Sequence, residues 1–258
     1  MNNNTLTEIS NEMLNEMNSN ERMVMHPHLT RQMSIIDSSL LAKQKVYIVG
    51  CGAIGSFAAL ALVKMGIVQL EVWDNDVVSI ENMSNQFFRF RDIGKNKAKA
   101  LHDLILDFTG ISITYHETPF EIGTGCKTYF ANENAIMISA VDSMSVRKQI
   151  YDEIVDNKLS SYVKYIIDPR MSAEFYLQLA GCTTNDHSIA NYGRSLYSDE
   201  NAVAERCTAK STIYTVTSAT GMICKTVKNM IMGEAYPKSL NWDIKASKPD
   251  TFIMFGNK

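Results

Sequence analysis

A chain of 258 residues, 45% hydrophobic and 21% charged, can bury a sizeable core as one α/β domain or at most two small ones. Its formal net charge of −3 argues against a nucleic-acid-binding surface, and no apolar run reaches the ~18 residues that span a membrane. The five cysteines, Cys51, Cys126, Cys182, Cys207 and Cys224, are odd in number and form no C-x-x-C pair, which argues against a disulfide framework and a four-cysteine zinc site.

Residues 1 to 24 read as an arm, and residues 25 to 258 as a single domain. The arm is rich in Asn and Glu and has no basic-then-apolar leader, so the chain is expected in the cytoplasm. Thr5 and Glu8 are spaced as a capping box, and Leu6, Ile9, Met13 and Met17 fall near helical spacing. A short amphipathic helix or a disordered arm follows. His26 and His28 flank a proline and read as surface imidazoles rather than a metal pair.

From residue 45, strands and helices alternate. KVYIVG is a buried strand. Ile54, Phe57, Ala58, Ala61, Leu62 and Met65 then trace one core face of a helix that Gly66 ends. VQLEVWD is a second strand, and a helix is expected over about 94–108. ISITYHE alternates as a strand, NAIMISAVD is an apolar strand ending in an acid, and 143–157 is helical. YVKYIID and EFYLQLA read as strands, 211–233 as a long helix, and the tail from residue 241 as a further short strand. The alternation predicts a Rossmann-like α/β fold. Its sheet is mainly parallel with helices on both faces, and a few antiparallel strands come toward the C-terminus.

Gly50, Gly52 and Gly55 form G-x-G-x-x-G between the first strand and its helix, with Ala53 and Ile54 opening the helix. Such a turn brings backbone N–H groups and the positive end of the helix dipole to a phosphate. Asp74 ends the next strand, where a carboxylate can hold ribose hydroxyls. NAD and ATP fit these features equally.

The next segment separates them. Asn82, Gln86, Arg89, Arg91, Lys95 and Lys97 follow Asp74 closely. A hydride-transfer site has no use for this cluster, whereas a triphosphate with about four negative charges does. Asp142 ends a later strand, where a lone acid can hold Mg²⁺ together with phosphate oxygens. Asp168 and Arg170, at another strand end, either line a groove or pair with each other. Trp73 reads as core.

These residues resemble the ThiF/MoeB family of adenylating enzymes, from about residue 28 to the last helix. The set D-x-D (Asp74, Asp76), Asn82, Gln86, DIG-x-x-K ending at Lys97, and VD-x-x-x-x-R carries the resemblance. It implies that Asp74 binds ribose, that Lys97 contacts phosphate, and that Asp142 serves magnesium and the reacting phosphate. It also implies that Arg31, beside Gln32, reaches the ATP site of a second subunit, hence a homodimer. The family usually has arginine where Asn85 stands, and Arg89 is expected to supply the missing charge. Cys207 before Thr208 resembles the thioester cysteine of larger ubiquitin-activating enzymes. A helix start and the flanking Arg206 and Lys210 would favour its thiolate. The zinc of some members is not expected.

The implied reaction uses ATP and Mg²⁺ to adenylate the C-terminal carboxylate of a ubiquitin-like or sulfur-carrier protein, or of a peptide. An α-carboxyl titrates at about 3.3–3.7, so the nucleophile is already ionised and no general base is needed. Two alternatives stay open. A dimer that binds nucleotide or partner without turnover would account for Asn85. An NAD(P)-dependent oxidoreductase would account for Gly50 to Asp74 but leaves Lys97 and Asp142 without a role.

Overall fold

The computed structural model describes residues 29, 31–32, 34–120, 134–155, 160–197 and 211–246. The arm, His26, His28, Cys126, Cys207 with its flanking charges, and the end of the tail lie outside the described residues.

The elements run α1 (Ser38–Lys43), β1 (Lys45–Val49), α2 (Ala53–Met65), β2 (Gln69–Trp73), α3 (Lys97–Thr109) and β3 (Thr114–His116). Then come β4 (Ala135–Ser139), α4 (Met144–Val155), β5 (Val163–Ser172), β6 (Phe175–Cys182), α5 (Asp186–Gly193), α6 (Ile213–Met232) and β7 (Ser239–Asp243). The seven strands form one sheet in the order β3-β2-β1-β4-β5-β6-β7. The first five are mutually parallel, and β6 and β7 are antiparallel additions. The expected α/β architecture is the one observed.

Side chains alternate across each strand, so both faces must be covered. Val46, Ile48, Val72, Ile136 and Ile138 pack beneath α2, α3 and α6. Tyr47, Val49, Met137 and Ile166 pack against α4 and α5. The long α6 forms despite its β-branched residues because Val216, Ala219, Ile223 and Val227 bury one stripe. Pro169 is tolerated inside β5 because pairing with β4 ends at Ile167, which leaves an open edge beyond it.

Several boundaries differ from expectation. α3 starts at Lys97 rather than near residue 94, because the Asn96 side chain accepts from Lys99 N (3.1 Å) and caps it there. β3 keeps only three residues of the expected strand, and β7 begins two residues before the expected tail. α1 and α5, six and eight residues long, are too short to show a periodic stripe. Their signals are caps: Asp37 accepts from Ser39 N and Leu40 N, and Asn185 from Ser188 N.

Candidate nucleotide site

Strand order reverses at β1, which pairs with β2 on one side and β4 on the other. The crevice outside the carboxyl ends at such a switch point is where open α/β sheets bind ligands. A cavity of about 380 Å³ opens there, lined by the glycine turn, the ends of β2 and β4, the start of α3, and Ser211 before α6.

The three glycines have separable reasons. Gly50 has φ +94°, and a Cβ there would lie 2.6 Å from Ala140 O. A Cβ on Gly55 would lie 1.9 Å from Gly50 O, so α2 packs against its own entry turn only through a bare Cα. Gly52 faces open space, with nothing within 4 Å of an added Cβ, and its φ of −75° does not demand glycine. The described contacts therefore do not explain Gly52, whereas a phosphate seated on the turn would. α2 has no capping side chain and no acid in its first turn, so its N–H groups and dipole face the cavity uncompensated.

Asp74 braces this turn as well as lining the cavity. Its Oδ2 accepts from Cys51 N (2.6 Å) and its Oδ1 from Asp76 N (2.8 Å). Burial raises its pKa from the ordinary 3.8, against the opposing pull of these two N–H groups and Lys97. With the folded value above the unfolded one, the Asp74 contribution is complete below the unfolded pKa and is lost as pH rises through the folded pKa. Urea titrations of wild type and Asp74→Asn should therefore show the wild-type advantage shrinking with rising pH across the acidic range. A gap that widens would contradict this assignment.

Lys97 is the first residue of α3, only 8% exposed, and lines the cavity. Its Nζ lies 2.7 Å from Asp76 Oδ2, and its backbone N donates to Asp76 O. Asn96 Nδ2 donates to the carbonyls of Asp74 and Asp76, locking the α3 entry to the end of β2. Asp142 stands at the end of β4 on the cavity wall. Among the described residues no cluster of three or more His, Cys, Asp or Glu could hold a metal. A cation here would take Asp142 and phosphate oxygens, as hard magnesium sites do.

The structure does not bring every expected residue to the cavity. Gln86 lines it, with a buried Oε1 that has no partner among the described residues. Asn82 is not among the lining residues. Its Oδ1 accepts from Ser79 N (2.8 Å) and its O from Gln86 N (2.9 Å), so it shapes the 3₁₀ turn that presents Asn85 and Gln86. Arg89 is a correction. Its guanidinium is taken by Asp92 (2.7 Å) and Asp107, away from the cavity, and so it does not supply the charge missing at Asn85. Asn85 itself lines the cavity and donates from Nδ2 to Ser211 Oγ (2.8 Å). Arg31 is exposed at the far end of α2, next to Gln32, whose Nε2 donates to Lys64 O (3.1 Å). Thirteen helical residues, about 20 Å, separate that end from the glycine turn, so Arg31 is not brought to the cavity of its own chain.

Asp168 and Arg170 pair with each other, Oδ2 accepting from Nη2 at 2.8 Å. Trp73 is buried as expected, stacked on His116 at 4.5 Å and edge-on to Phe120. It also lines the cavity beside Phe120, giving a flat apolar wall that sequence reading missed. Ser211 was missed too, as nothing near it in sequence marks it. Burial pushes the Cys51 thiol well up and the Cys224 thiol to about 12, so neither is an activated nucleophile.

The sequence model of the ThiF family matches residues 29–249. Ubiquitin-like modifier-activating enzyme 5 of Dictyostelium discoideum is 45% identical over 60 residues, 23% of this chain and 16% of that protein. The probable molybdopterin-synthase adenylyltransferase of Porphyra purpurea is 27% identical over 137 residues, 53% of this chain and 31% of that protein. Among solved structures, E. coli MccB with AMPCPP and MccA superposes with a TM-score of 0.64 at 18% identity, covering 85% of this chain and 66% of MccB. MccB with ATP gives 0.62 at 17%, covering 85% and 67%. At these identities the structural likeness establishes the fold. The matches span only 14% to 40% of the curated relatives' lengths.

Proposed function

The chain belongs to the ThiF family, and from that premise we propose that it adenylates the C-terminal carboxylate of a ubiquitin-like or sulfur-carrier protein, or of a peptide, at the expense of ATP. The observation that carries the reading is the open face of Gly52 at an uncapped helix start, in one cavity with Lys97 and Asp142. On this reading the adenosine would sit beside Asp74 and Trp73, with its phosphates over the turn toward Lys97.

The partner's carboxylate attacks the α-phosphorus in line, the bond to the bridging oxygen breaks, and pyrophosphate leaves. The product is an acyl-adenylate. Two anions must be brought together, so the protein's work is positioning and electrostatic stabilisation. Magnesium, held by Asp142 with phosphate oxygens, would offset charge on the triphosphate. Lys97 holds phosphate, and Asp74 fixes the turn that cradles it. Arg31 serves a second copy's cavity in a homodimer, a role its distance from its own cavity favours. A later step through Cys207 belongs to the same proposal, as does a cytoplasmic setting. Among the described residues no helix is long and apolar enough to cross a membrane.

A second reading has its own observation. With Arg89 paired elsewhere and Asn85 neutral, the cavity of one chain is short of cations, which favours a dimer that binds without turnover. Calorimetric titration with Mg·ATP, and separately with NAD and NADH, tests the nucleotide. Binding of NAD alone would sink both readings. ATP–pyrophosphate exchange with candidate carrier proteins and peptides then separates them. Exchange supports adenylation, and tight Mg·ATP binding with no exchange across the candidates favours the binding dimer.

A further inference from the structure

Behind the end of β4 lies a buried ion cluster that the reaction itself does not use. Arg147 on α4 is 4% exposed, and each of its three guanidinium nitrogens has a protein acceptor. Nε donates to Asp168 Oδ1 (2.9 Å), Nη1 to Asp142 O (3.4 Å) and Nη2 to Val141 O. Asp168 on β5 is fully buried, and its other oxygen accepts from Arg170 Nε (3.0 Å), Arg170 Nη2 (2.8 Å) and Tyr192 OH (3.2 Å). Arg147 therefore joins an acid on one strand to two successive carbonyls of the loop that leaves the neighbouring strand. That loop presents Asp142 to the cavity.

A guanidinium is a rigid plane. Once Asp168 holds Nε, the positions of the two outer nitrogens are set, and with them the carbonyls they bind. We infer that Asp168 and Arg147 are positioning residues for Asp142. They hold the 141–143 loop in its nucleotide-ready conformation before any ligand arrives. The inference rests on the adenylation reading for what Asp142 does, but not for how it is held. Arg147 also lines the cavity, but each of its three nitrogens is engaged by a protein acceptor, so on this inference it acts as a brace rather than as a phosphate ligand. Lysine could not replace it, because one ammonium cannot reach an acid and two carbonyls in those directions together.

The test uses Asp168→Asn and Arg147→Lys, the second keeping the charge should the first, by stranding two buried arginines, fail to fold. In the nucleotide-free protein, amide hydrogen exchange across 141–143 should accelerate about tenfold in either variant, while the β1 and β2 amides keep their protection. Mg·ATP binding should weaken about tenfold or more, as losses of outer partners around metal sites do. Repeated in an Asp142→Asn background, the same substitutions should cost little further, because their effect passes through Asp142. Unchanged exchange at 141–143 in both variants overturns the inference. An equal loss of affinity in both backgrounds also overturns it, since the cluster would then act on the fold alone. If wild type binds no Mg·ATP, the adenylation reading fails, and the exchange measurement still decides the positioning claim.

Discussion

Gly55→Ala is expected to destabilise the folded protein by ~3 kcal/mol or more, while Gly52→Ala, three residues away, leaves stability within a few tenths of a kcal/mol. The contrast follows from what each new methyl meets. At position 55 it would sit 1.9 Å from a backbone carbonyl oxygen in the adjoining turn, which cannot rotate away as a flexible side chain can. Either α2 lifts off β1 or the turn opens, and both disturb the buried seam around Ile48 and Ala58. For a chain of this size the loss corresponds to a drop of roughly 6–12 °C in melting temperature. At position 52 the methyl enters open space on the cavity side. Gly52→Ala should therefore keep its melting temperature and lose Mg·ATP binding, because the methyl stands where the phosphate must approach the helix N–H groups. Thermal melts and calorimetry on the two variants check this together. A Gly52→Ala protein that binds Mg·ATP as wild type does would remove the phosphate from the turn.

Lys97→Met is expected to weaken Mg·ATP binding by about 2–3 kcal/mol, roughly 30- to 150-fold, with little effect on folding. Lys97 is nearly buried, so on the proposed reading its ammonium would act on a ligand phosphate with less screening than a surface lysine. Its present partner, Asp76, is well exposed and can be rehydrated when the lysine is lost, which keeps the folding penalty small. Methionine fills much of the same volume, so the effect read out is charge rather than a cavity. Lys97→Arg should recover only part of the affinity, because a planar fork does not replace a compact ammonium at the start of a helix. Calorimetry beside urea unfolding measures both quantities. A variant that binds as wild type would leave Lys97 as no more than the partner of Asp76.

The expected and observed elements agree where the signal was local. The order of strands and helices, the glycine turn, Asp74 at the end of β2 and Asp142 after the end of β4 were legible from residue spacing, whereas the start of α3 at Lys97 was not. Each depends on neighbours within one turn or one strand: alternation sets which face is buried, a cap sets where a helix starts, and a turn demands glycine. The same logic failed for α1 and α5, which are shorter than the window in which a periodic stripe can be recognised.

Sequence by itself determined the architecture and the glycine-turn side of the cavity, because both follow from backbone geometry repeated over short spans. Only the tertiary structure decided which charge meets which. Arg89 lies three residues from Gln86, yet beyond its local partner Asp92 its guanidinium also goes to Asp107 on α3. Asn85 finds Ser211 across 126 residues, and Arg147 finds Asp168 across 21. Hydrogen bonds and ion pairs are decided within a few ångströms. Those distances are set by how α3, α4 and α6 pack on the sheet, which no local spacing encodes.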